Sequence, residues 1–453
     1  MTSTVNRYRY YCNTESLYVY KWDTYPPTVC VNNPVHSINL TSISISDQVT
    51  NSGVSSGTTS LGNLSLDQFG VLRTISRQTP IDLKSIFGVT QIRDTLALAG
   101  TGTVTNTIGD SEYKMFIQGV TDVADLRSAE RGRYISGMSI EAGIGIRIPT
   151  TLGTNQRLLW GLYDGTNGIY FKYVASQLSV NILRDGVETS IPQSAFNVDS
   201  LDGNGPSGIV YSPSSGITHR ITFSWYGYDL IDFSIIGLSA DNKQNSYSVH
   251  RIKVTSSTSV KNPNLPLCVR LEGNGNNLAQ TVYVAARQYS IIGEYKPTYR
   301  LNSHLVVAAT VSSSTIWQPI ISIRKKVTHK YINVLISSLL LVQASDVLVQ
   351  IRIGNTLVGA SWVTPADQTA SETAVECDTS AISSTGGVIL HLGYGGSGVG
   401  TKTGNSTSNS SSILGDDSGV SLILTETNNI TVFVKYVNNP GTATAILRWK
   451  EEF

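Results

Sequence analysis

Apolar and polar residues alternate in short runs along most of the chain. Residues 139–148 place an apolar side chain at every second position, and residues 158–163 form an apolar run that ends at the turn pair Asp164-Gly165. Alternation with a period of two is typical of strands with one buried face, and Asp-Gly pairs favour tight hairpin turns. Many such segments follow one another between residues 110 and 295. This pattern predicts an antiparallel β-sandwich or jelly roll over residues 110–295.

The same pattern of short strands returns in residues 296–453 and predicts a second β-sandwich. Residues 1–45 are rich in aromatic side chains and predict a small N-terminal module. Residues 46–109 begin with a Ser/Thr/Gly-rich stretch that buries too little apolar surface to offset its ordering entropy. We therefore predict an extended linker arm there, with a short helical turn at 79–86. The predicted fold class is all-β: two consecutive antiparallel β-sandwich (jelly-roll-like) domains behind the N-terminal module and the arm.

Composition supports this assignment and limits the classes of partner. Charged residues make up 14% of the chain, against roughly 25% in a typical soluble domain, and Met, Lys and Glu, which favour helices, are scarce. The net charge of +1 leaves no basic footprint for nucleic acid, so no nucleic-acid partner is expected. Residues 331–342, the most apolar stretch, are too short and too polar to cross a bilayer, and no membrane insertion is expected. Residues 1–5 lack the pattern of a signal peptide.

Cysteine and histidine spacing predicts no metal ligand. The four cysteines, Cys12, Cys30, Cys268 and Cys377, contain no CxxC pair. Cys12 and Cys30 are either two buried free thiols or the ends of a small disulfide loop. Lone histidines without a neighbouring ligand motif are interpreted as strand or loop residues. The six histidines are His36, His219, His250, His304, His329 and His391.

No catalytic motif is found either. The sequence has no GxSxG nucleophile elbow and no phosphate-binding loop. We therefore predict no catalytic residue, no cofactor and no enzyme activity. The basic cluster Arg324-Lys325-Lys326 is interpreted as a solvated strand end, with an anion contact as the alternative.

Two polar loops are candidate binding sites. Asp199, Asp202 and Asn204 lie in an Asp/Asn/Gly-rich run that is interpreted as a plain turn, with two alternatives: an oxygen-ligand calcium loop, or the carboxylate pair of a glycoside hydrolase. Tyr394 stands at the start of a Gly/Ser/Thr/Asn loop over residues 395–412. Tyrosine binds sugars and proteins with little loss of conformational entropy, so Tyr394 joins the candidate binding residues.

Several stretches share motifs with one class of protein. They are residues 8–15, 26–34 with His36, 126–134 with Gly137, 217–228, 249–250, 265–270, and 371–376 with Gly386-Gly387. Together they resemble virion structural proteins of tailed phages and of large DNA viruses of algae and protists. The resemblance implies a fibre, spike or minor capsid protein whose N-terminal module docks to capsid or tail proteins. The candidate anchor residues in that module are Tyr8, Tyr10, Tyr11, Cys12, Trp22, Pro26, Pro27 and Cys30.

The resemblance also sets the expected location and assembly. It implies a protein of the virion exterior that forms a homo-oligomer, with a trimer favoured, and that binds a host-surface glycan or protein. The alternative is a lectin-like carbohydrate-binding protein that recognises glycans through residues 110–295. A glycan depolymerase that depends on Asp199 or Asp202 is the third hypothesis. Fold alone does not decide between these functions.

Overall fold

The computed structural model describes most of the chain. The described residues are 3–23, 25–30, 33, 35–51, 60–61, 64–65, 77–106, 109, 111–224, 227–228, 230–238, 244–255, 257–293, 299–311, 315–343, 346–365, 368–395, 422–437 and 441–452. The chain divides into two compact units, Met1–Thr74 and Ile75–Phe453. Throughout the described residues the regular structure is strand, apart from three single-turn 3₁₀ helices, Gln193–Ala195, Pro213–Ser215 and Val327–His329. No helix among them is long and apolar enough to cross a membrane.

The N-terminal unit is built on one antiparallel sheet. Its strands are β1 (Ser3–Cys12), β2 (Leu17–Asp23) and β3 (Ile38–Asn51), in the order β2-β1-β3. Two further short strands, β4 (Ser60–Leu61) and β5 (Leu64–Ser65), pair with each other. Alternation along β1 sends Tyr8, Tyr10 and Cys12 to one face, where they pack with Val19 and Cys30. Because β3 continues to Asn51, the sheet extends past the boundary predicted at residue 45.

The second unit contains two sandwiches, and the first is the larger. Its strands are β6 (Arg77–Leu83), β7 (Asp94–Ala99), β8 (Thr103–Asn106), β9 (Tyr113–Ile117), β10 (Val123–Arg131), β11 (Ser139–Arg147), β12 (Arg157–Tyr163), β13 (Gly168–Val174), β14 (Gln177–Arg184), β15 (Val187–Pro192), β16 (Ile217–Phe223), β17 (Leu230–Leu238), β18 (Gln244–Lys253), β19 (Pro266–Glu272) and β20 (Gln280–Ile292). One sheet has the order β15-β14-β13-β12-β19-β10-β7. The other has the order β18-β17-β16-β11-β20-β9-β8, and β6 also pairs with β20.

Aromatic side chains join the two sheets across the core. Trp160 on β12 lies 4.8 Å from His219 on β16, measured between ring centroids. Phe171 on β13 lies 5.3 Å from Phe233 on β17 in an edge-to-face contact. Side chains from the inner faces of two facing sheets form the core of a β-sandwich. The predicted all-β sandwich is therefore confirmed for this region.

The first sandwich starts earlier than the sequence pattern predicts. Strands β6, β7 and β8 lie within residues 46–109, which the pattern assigned to the arm. They pair with β20, β10 and β9 respectively. The helical turn predicted at 79–86 is wrong, because this segment pairs with β20 as far as Leu83 and buries Ile81 and Leu83 in the core. Arm residues 52–59, 62–63 and 66–76 lie outside the described residues.

The second sandwich has two smaller sheets. Its strands are β21 (Tyr299–Val311), β22 (Gln318–Lys325), β23 (Asn333–Gln343), β24 (Val347–Val358), β25 (Val375–Asp378), β26 (Ser383–Gly395), β27 (Leu422–Leu424), β28 (Asn429–Tyr436) and β29 (Gly441–Glu452). The orders are β21-β29-β23-β27 and β25-β22-β28-β24-β26. Both sheets contribute to one buried core, which includes Trp449 on β29 and Val349 on β24. Residues 294–298, where the boundary between the sandwiches was predicted, lie outside the described residues.

Buried charges connect the two sandwiches. Arg131, only 2% exposed, donates to Asp164 Oδ2 at 3.1 Å within the first sandwich and to Glu426 Oε2 at 2.8 Å in the second. Arg133 lies 3.5 Å from Glu452 in the same region. Burial, with the nearby Arg131 charge, lowers the pKa of Lys325 to about 7.

The basic cluster at residues 324–326 is therefore not a solvated strand end. Lys325 and Lys326 are buried, and Lys326 Nζ donates to the carbonyl oxygens of Ala370 and Thr373, each at 2.9 Å. Arg324 remains half exposed, where it pairs with Glu376 and lies over the Trp362 ring. The cluster is largely internal because chain segments distant in sequence cover it.

Candidate functional site

The predicted anchor residues divide between the inside and the outside of the N-terminal sheet. Tyr8, Tyr10, Cys12, Pro27 and Cys30 are buried, so they support the module itself. Tyr11 is partly exposed on the other face, and Pro26 is exposed. Trp22 belongs to β2, but its side chain lies outside the described residues. Of the candidate anchor residues whose side chains are described, Tyr11 and Pro26 are therefore the accessible ones.

The outer face of the module is a ladder of arginine and tyrosine. Arg7 Cζ lies 4.6 Å from the centroid of the Tyr20 ring, and Arg9 Cζ lies 3.9 Å from that of Tyr18. Tyr11 meets Tyr18 edge to face at 5.2 Å. Tyrosine and arginine are the residue types most enriched at the centres of protein interfaces. This arginine–tyrosine face thus presents residue types that are common at protein interfaces.

The inner side of the module brings four ligand-type side chains together. Cys12 ends β1, and Glu15 follows in the turn to β2, where Ser16 adopts a positive φ of 56° and its N–H donates to Cys12 O. Cys30 and His36 come from the loop between β2 and β3. The N–H of Asn13 donates to Ser37 O at 2.9 Å and ties that loop to the turn.

The four side chains point at a common centre. His36 Nδ1 lies 3.0 Å from Glu15 Oε1 and 3.9 Å from Cys12 Sγ. The ligand atoms of Cys12, Glu15, Cys30 and His36 all lie within 4.8 Å of one another. Both cysteines are free thiols, and burial raises the pKa of Cys12. We refer to these four residues as the Cys12 cluster.

The expectation of no metal ligand rested on local spacing. Spacing rules find ligands that one helix or one hairpin presents, whereas the Cys12 cluster combines a hairpin turn with a returning loop. The available signal was the grouping of two cysteines, a glutamate and a histidine within residues 12–36. A search of the described residues for three or more His, Cys, Asp or Glu side chains close enough to hold a metal ion finds the Cys12 cluster.

The carboxylates of Asp199 and Asp202 accept hydrogen bonds from backbone N–H groups of their own loop. Asp199 is buried, and its Oδ1 and Oδ2 accept hydrogen bonds from the N–H groups of Leu201 (2.8 Å) and Ser207 (2.7 Å). Asp202 Oδ1 accepts from the Asn204 N–H at 2.9 Å, and this hydrogen bond lowers the pKa of Asp202. A general acid of a glycoside hydrolase needs a raised pKa instead. The geometry therefore favours a turn held by side-chain hydrogen bonds.

A cavity lined mostly by polar residue types lies beside this loop. It has a volume of about 530 Å³ and is lined by Ser176, Gln177, Pro192, Gln193, Ser194, Ser200 and Asp202. Gln193 Nε2 is held by the carbonyl oxygen of Ser200 at 2.7 Å. Gln177 is exposed at the cavity. The cavity thus offers amide and carboxylate groups to a polar ligand.

Tyr394 lies in the other sandwich and does not share a site with the Asp199 loop. It is on β26, the edge strand of the five-stranded sheet, and is 57% exposed. A hydrogen bond to Asp346 raises its pKa. Of the polar loop predicted over residues 395–412, residues 396–412 lie outside the described residues.

Comparison with known proteins gives only distant likenesses. No family model matches the chain, and no curated protein matches it. Among solved structures, an endo-1,3-beta-glucanase from Streptomyces sioyaensis is 10% identical with a TM-score of 0.32, covering 53% of this chain and 99% of that one. Peanut lectin with a 9mer peptide is 8% identical with a TM-score of 0.30, covering 48% and 97%. The Botulinum neurotoxin type G receptor binding domain is 10% identical with a TM-score of 0.27, covering 47% of each chain. At these values the likenesses carry no argument about function.

Proposed function

We propose that the chain is a structural protein of a virion exterior, of fibre, spike or minor capsid type, which assembles with further copies of itself. Beside the sequence resemblance, the proposal rests on one structural observation. The edge strand β26 of the second sandwich carries a row of exposed apolar side chains.

The pairing register shows which face these side chains occupy. On β26, Tyr394, Leu392 and Ile389 stand opposite Leu348, Gln350 and Arg352 of β24. The alternate residues of β24, which include Val349 and Ile351, are in the core. Paired residues of neighbouring strands project to the same face. Tyr394, Leu392 and Ile389 therefore point away from the core, on the outer face of the sheet.

A β-bulge makes this row continuous. The register shifts between Ile351 and Arg352, so that Leu390 is the extra residue on β26. Leu390 packs against the core, and Ile389 is left on the outer face with Leu392. Ile389 and Leu392 are 55% and 62% exposed. We call Ile389, Leu392 and Tyr394 the β26 row.

The β26 row has the properties of an assembly surface. Among the described strands β26 pairs only with β24, so its other edge offers backbone donors and acceptors. A long apolar edge strand favours pairing with another chain. With a net charge of +1, copies of the chain do not repel one another over long distances. These features favour a neighbouring copy as the occupant; the trimer remains a prediction.

Leu392→Lys tests this assembly surface. The wild-type chain is expected to form an oligomer in light scattering, and Leu392→Lys is expected to shift it towards the monomer because a charge would be buried in the contact. Val210→Lys is the matched control, because Val210 is also exposed but lies outside β26. A wild-type chain that stays monomeric up to high concentration would overturn the assembly surface.

The virion location needs its own test. Peptides of the chain should co-sediment with capsid protein in purified particles, and their absence from such particles would contradict the virion location.

Carbohydrate binding by the first sandwich is the second candidate, supported by the cavity beside Asp202, whose lining combines amide and carboxylate groups with apolar surface. A glycan array probed with the full chain should then give signals that Gln177→Ala removes. A full chain that binds no glycan on the array would leave only the structural role.

The proposed function includes no catalytic step. Release of reducing sugar from polysaccharide by the full chain would contradict the absence of catalysis.

A further inference from the structure

The N-terminal module has a very small apolar core. Among its described residues, Tyr8, Tyr10, Cys12, Val19 and Cys30 form the buried cluster, with Ile38 and Ile43 packed against it. Domains of this size rarely reach independent stability through apolar burial alone and usually add disulfides or a structural metal. Two of the five buried residues are cysteines, and both are free. The two buried cysteines therefore form no disulfide that could stabilise this small core.

We propose that the Cys12 cluster is a structural zinc site, with Cys12 Sγ, Cys30 Sγ, His36 Nδ1 and a Glu15 carboxylate oxygen as the four ligands. Thiolate, imidazole and carboxylate are the donors that zinc takes in proteins. This site is independent of the virion role proposed above.

Two distances between the donor atoms lie close to those of tetrahedral coordination. With the usual zinc–ligand bond lengths, donor atoms around one zinc ion lie about 3.3–3.8 Å apart. The contacts of His36 Nδ1, 3.0 Å to Glu15 and 3.9 Å to Cys12, bracket that range. The remaining separations are below 4.8 Å. Zinc binding would draw the more widely separated donors together.

Backbone hydrogen bonds hold the turn at Glu15 and the described residues next to His36 in place. Ser16 N–H donates to Cys12 O at 2.8 Å, which holds Glu15 in a tight turn. His36 N–H donates to Asn33 O at 3.1 Å, and Ser37 N–H donates to Thr14 Oγ1 at 3.3 Å. These bonds bring the histidine loop against the turn. Metal sites depend on such supporting contacts to orient their ligands.

The ligand count and the burial indicate a structural site. Cys12 and Cys30 are buried, and Glu15 and His36 are partly buried. Four protein ligands complete a tetrahedron and leave no position for a substrate, which is the arrangement of structural zinc. On binding, each thiol gives its proton to solvent, and zinc is neither oxidised nor reduced. The ion would link β1, the first turn and the loop before β3.

Zinc content of the full chain tests the proposal. Purified protein incubated with Zn²⁺ and desalted is expected to retain one zinc per chain by elemental mass spectrometry. Cys12→Ser and Cys30→Ser are expected to lower retention at least tenfold. Cys268→Ser and Cys377→Ser are matched controls, because these free cysteines are equally buried in the two sandwiches. They are expected to retain one zinc.

Cobalt substitution separates ligation from simple unfolding. Co²⁺ bound by Cys12 and Cys30 is expected to give a thiolate charge-transfer band and the strong visible bands of tetrahedral cobalt. His36→Ala should lose these bands, whereas His36→Cys, which supplies another zinc ligand, should keep tetrahedral binding. Zinc-free wild-type protein, a Cys12–Cys30 disulfide in protein purified under reducing conditions, or loss of zinc in the Cys268→Ser control would overturn the proposal.

Discussion

The N-terminal module and the first sandwich use the same type of antiparallel sheet but hold it together differently. In the sandwich, two large sheets enclose aromatic side chains such as Trp160 and Phe171, and the core continues from end to end. In the module, one three-stranded sheet covers a few buried residues, of which two are cysteines. A sheet with a facing sheet is stabilised by apolar burial. The described core of the module is small, so specific links such as the Cys12 cluster matter more for its stability.

The two regions should differ most in how much stability they lose when one buried aromatic ring is removed from each. Tyr10→Ala and Trp160→Ala each remove a fully buried ring, at a cost of about 3–5 kcal/mol. A small core rarely supplies more than about 3–5 kcal/mol in total, so Tyr10→Ala should unfold the module. Trp160→Ala should only lower the unfolding temperature of the sandwich. Hydrogen exchange of residues 3–12 and 157–163 distinguishes these outcomes, and continued protection of residues 3–12 in Tyr10→Ala would break the comparison.

The buried charges between the sandwiches should give the next largest effect. Arg131→Met leaves the Asp164 carboxylate without its buried partner, and breaking such a pair costs about 3–5 kcal/mol. Lys261→Met is the control, because its pair with Asp185 is half exposed on both sides and contributes at most about 1 kcal/mol. Urea unfolding of the full chain measures both changes. Equal effects would show that the Arg131 contacts contribute no more than a surface ion pair.

The acid sensitivity that buried His219 gives the first sandwich should be a smaller effect. Burial lowers the pKa of His219 from 6.5 to about 3. Between these values the unfolded chain binds more protons than the folded chain, so stability falls as the pH is lowered from 7 to 4, by about 1–3 kcal/mol. His219→Phe should remove that loss, since phenylalanine takes no proton. Tyr211→Phe removes the hydroxyl partner of His219 but keeps the imidazole, and should leave the loss in place. Identical pH profiles for wild type and His219→Phe would contradict the assignment.

The strands that the sequence predicts best are those whose pattern is local. Alternation over residues 139–148 corresponds to β11, and the turn pair Asp164-Gly165 lies at the end of β12. In each case the sequence pattern and the strand or turn that it predicts lie within the same few residues. The all-β fold could therefore be predicted from short windows.

The features that the sequence does not reveal depend on distant partners. Strand β6 forms because β20, about two hundred residues later, supplies its hydrogen bonds. Lys326 is buried against the segment around Ala370, whose carbonyl oxygen accepts a hydrogen bond from its ammonium group. The Cys12 cluster arises from a turn and a loop that β3 brings back to β1. None of these pairings leaves a periodic pattern in the residues concerned.

Hydrogen exchange of the zinc-loaded full chain, with and without a chelator, tests the difference between the module and the sandwiches most directly. We predict that chelation removes protection from β1, β2 and β3, that added Zn²⁺ restores it, and that protection of β11, β12 and β24 does not change. A module that keeps its protection without zinc would contradict the account, as would an equal loss of protection in the sandwiches.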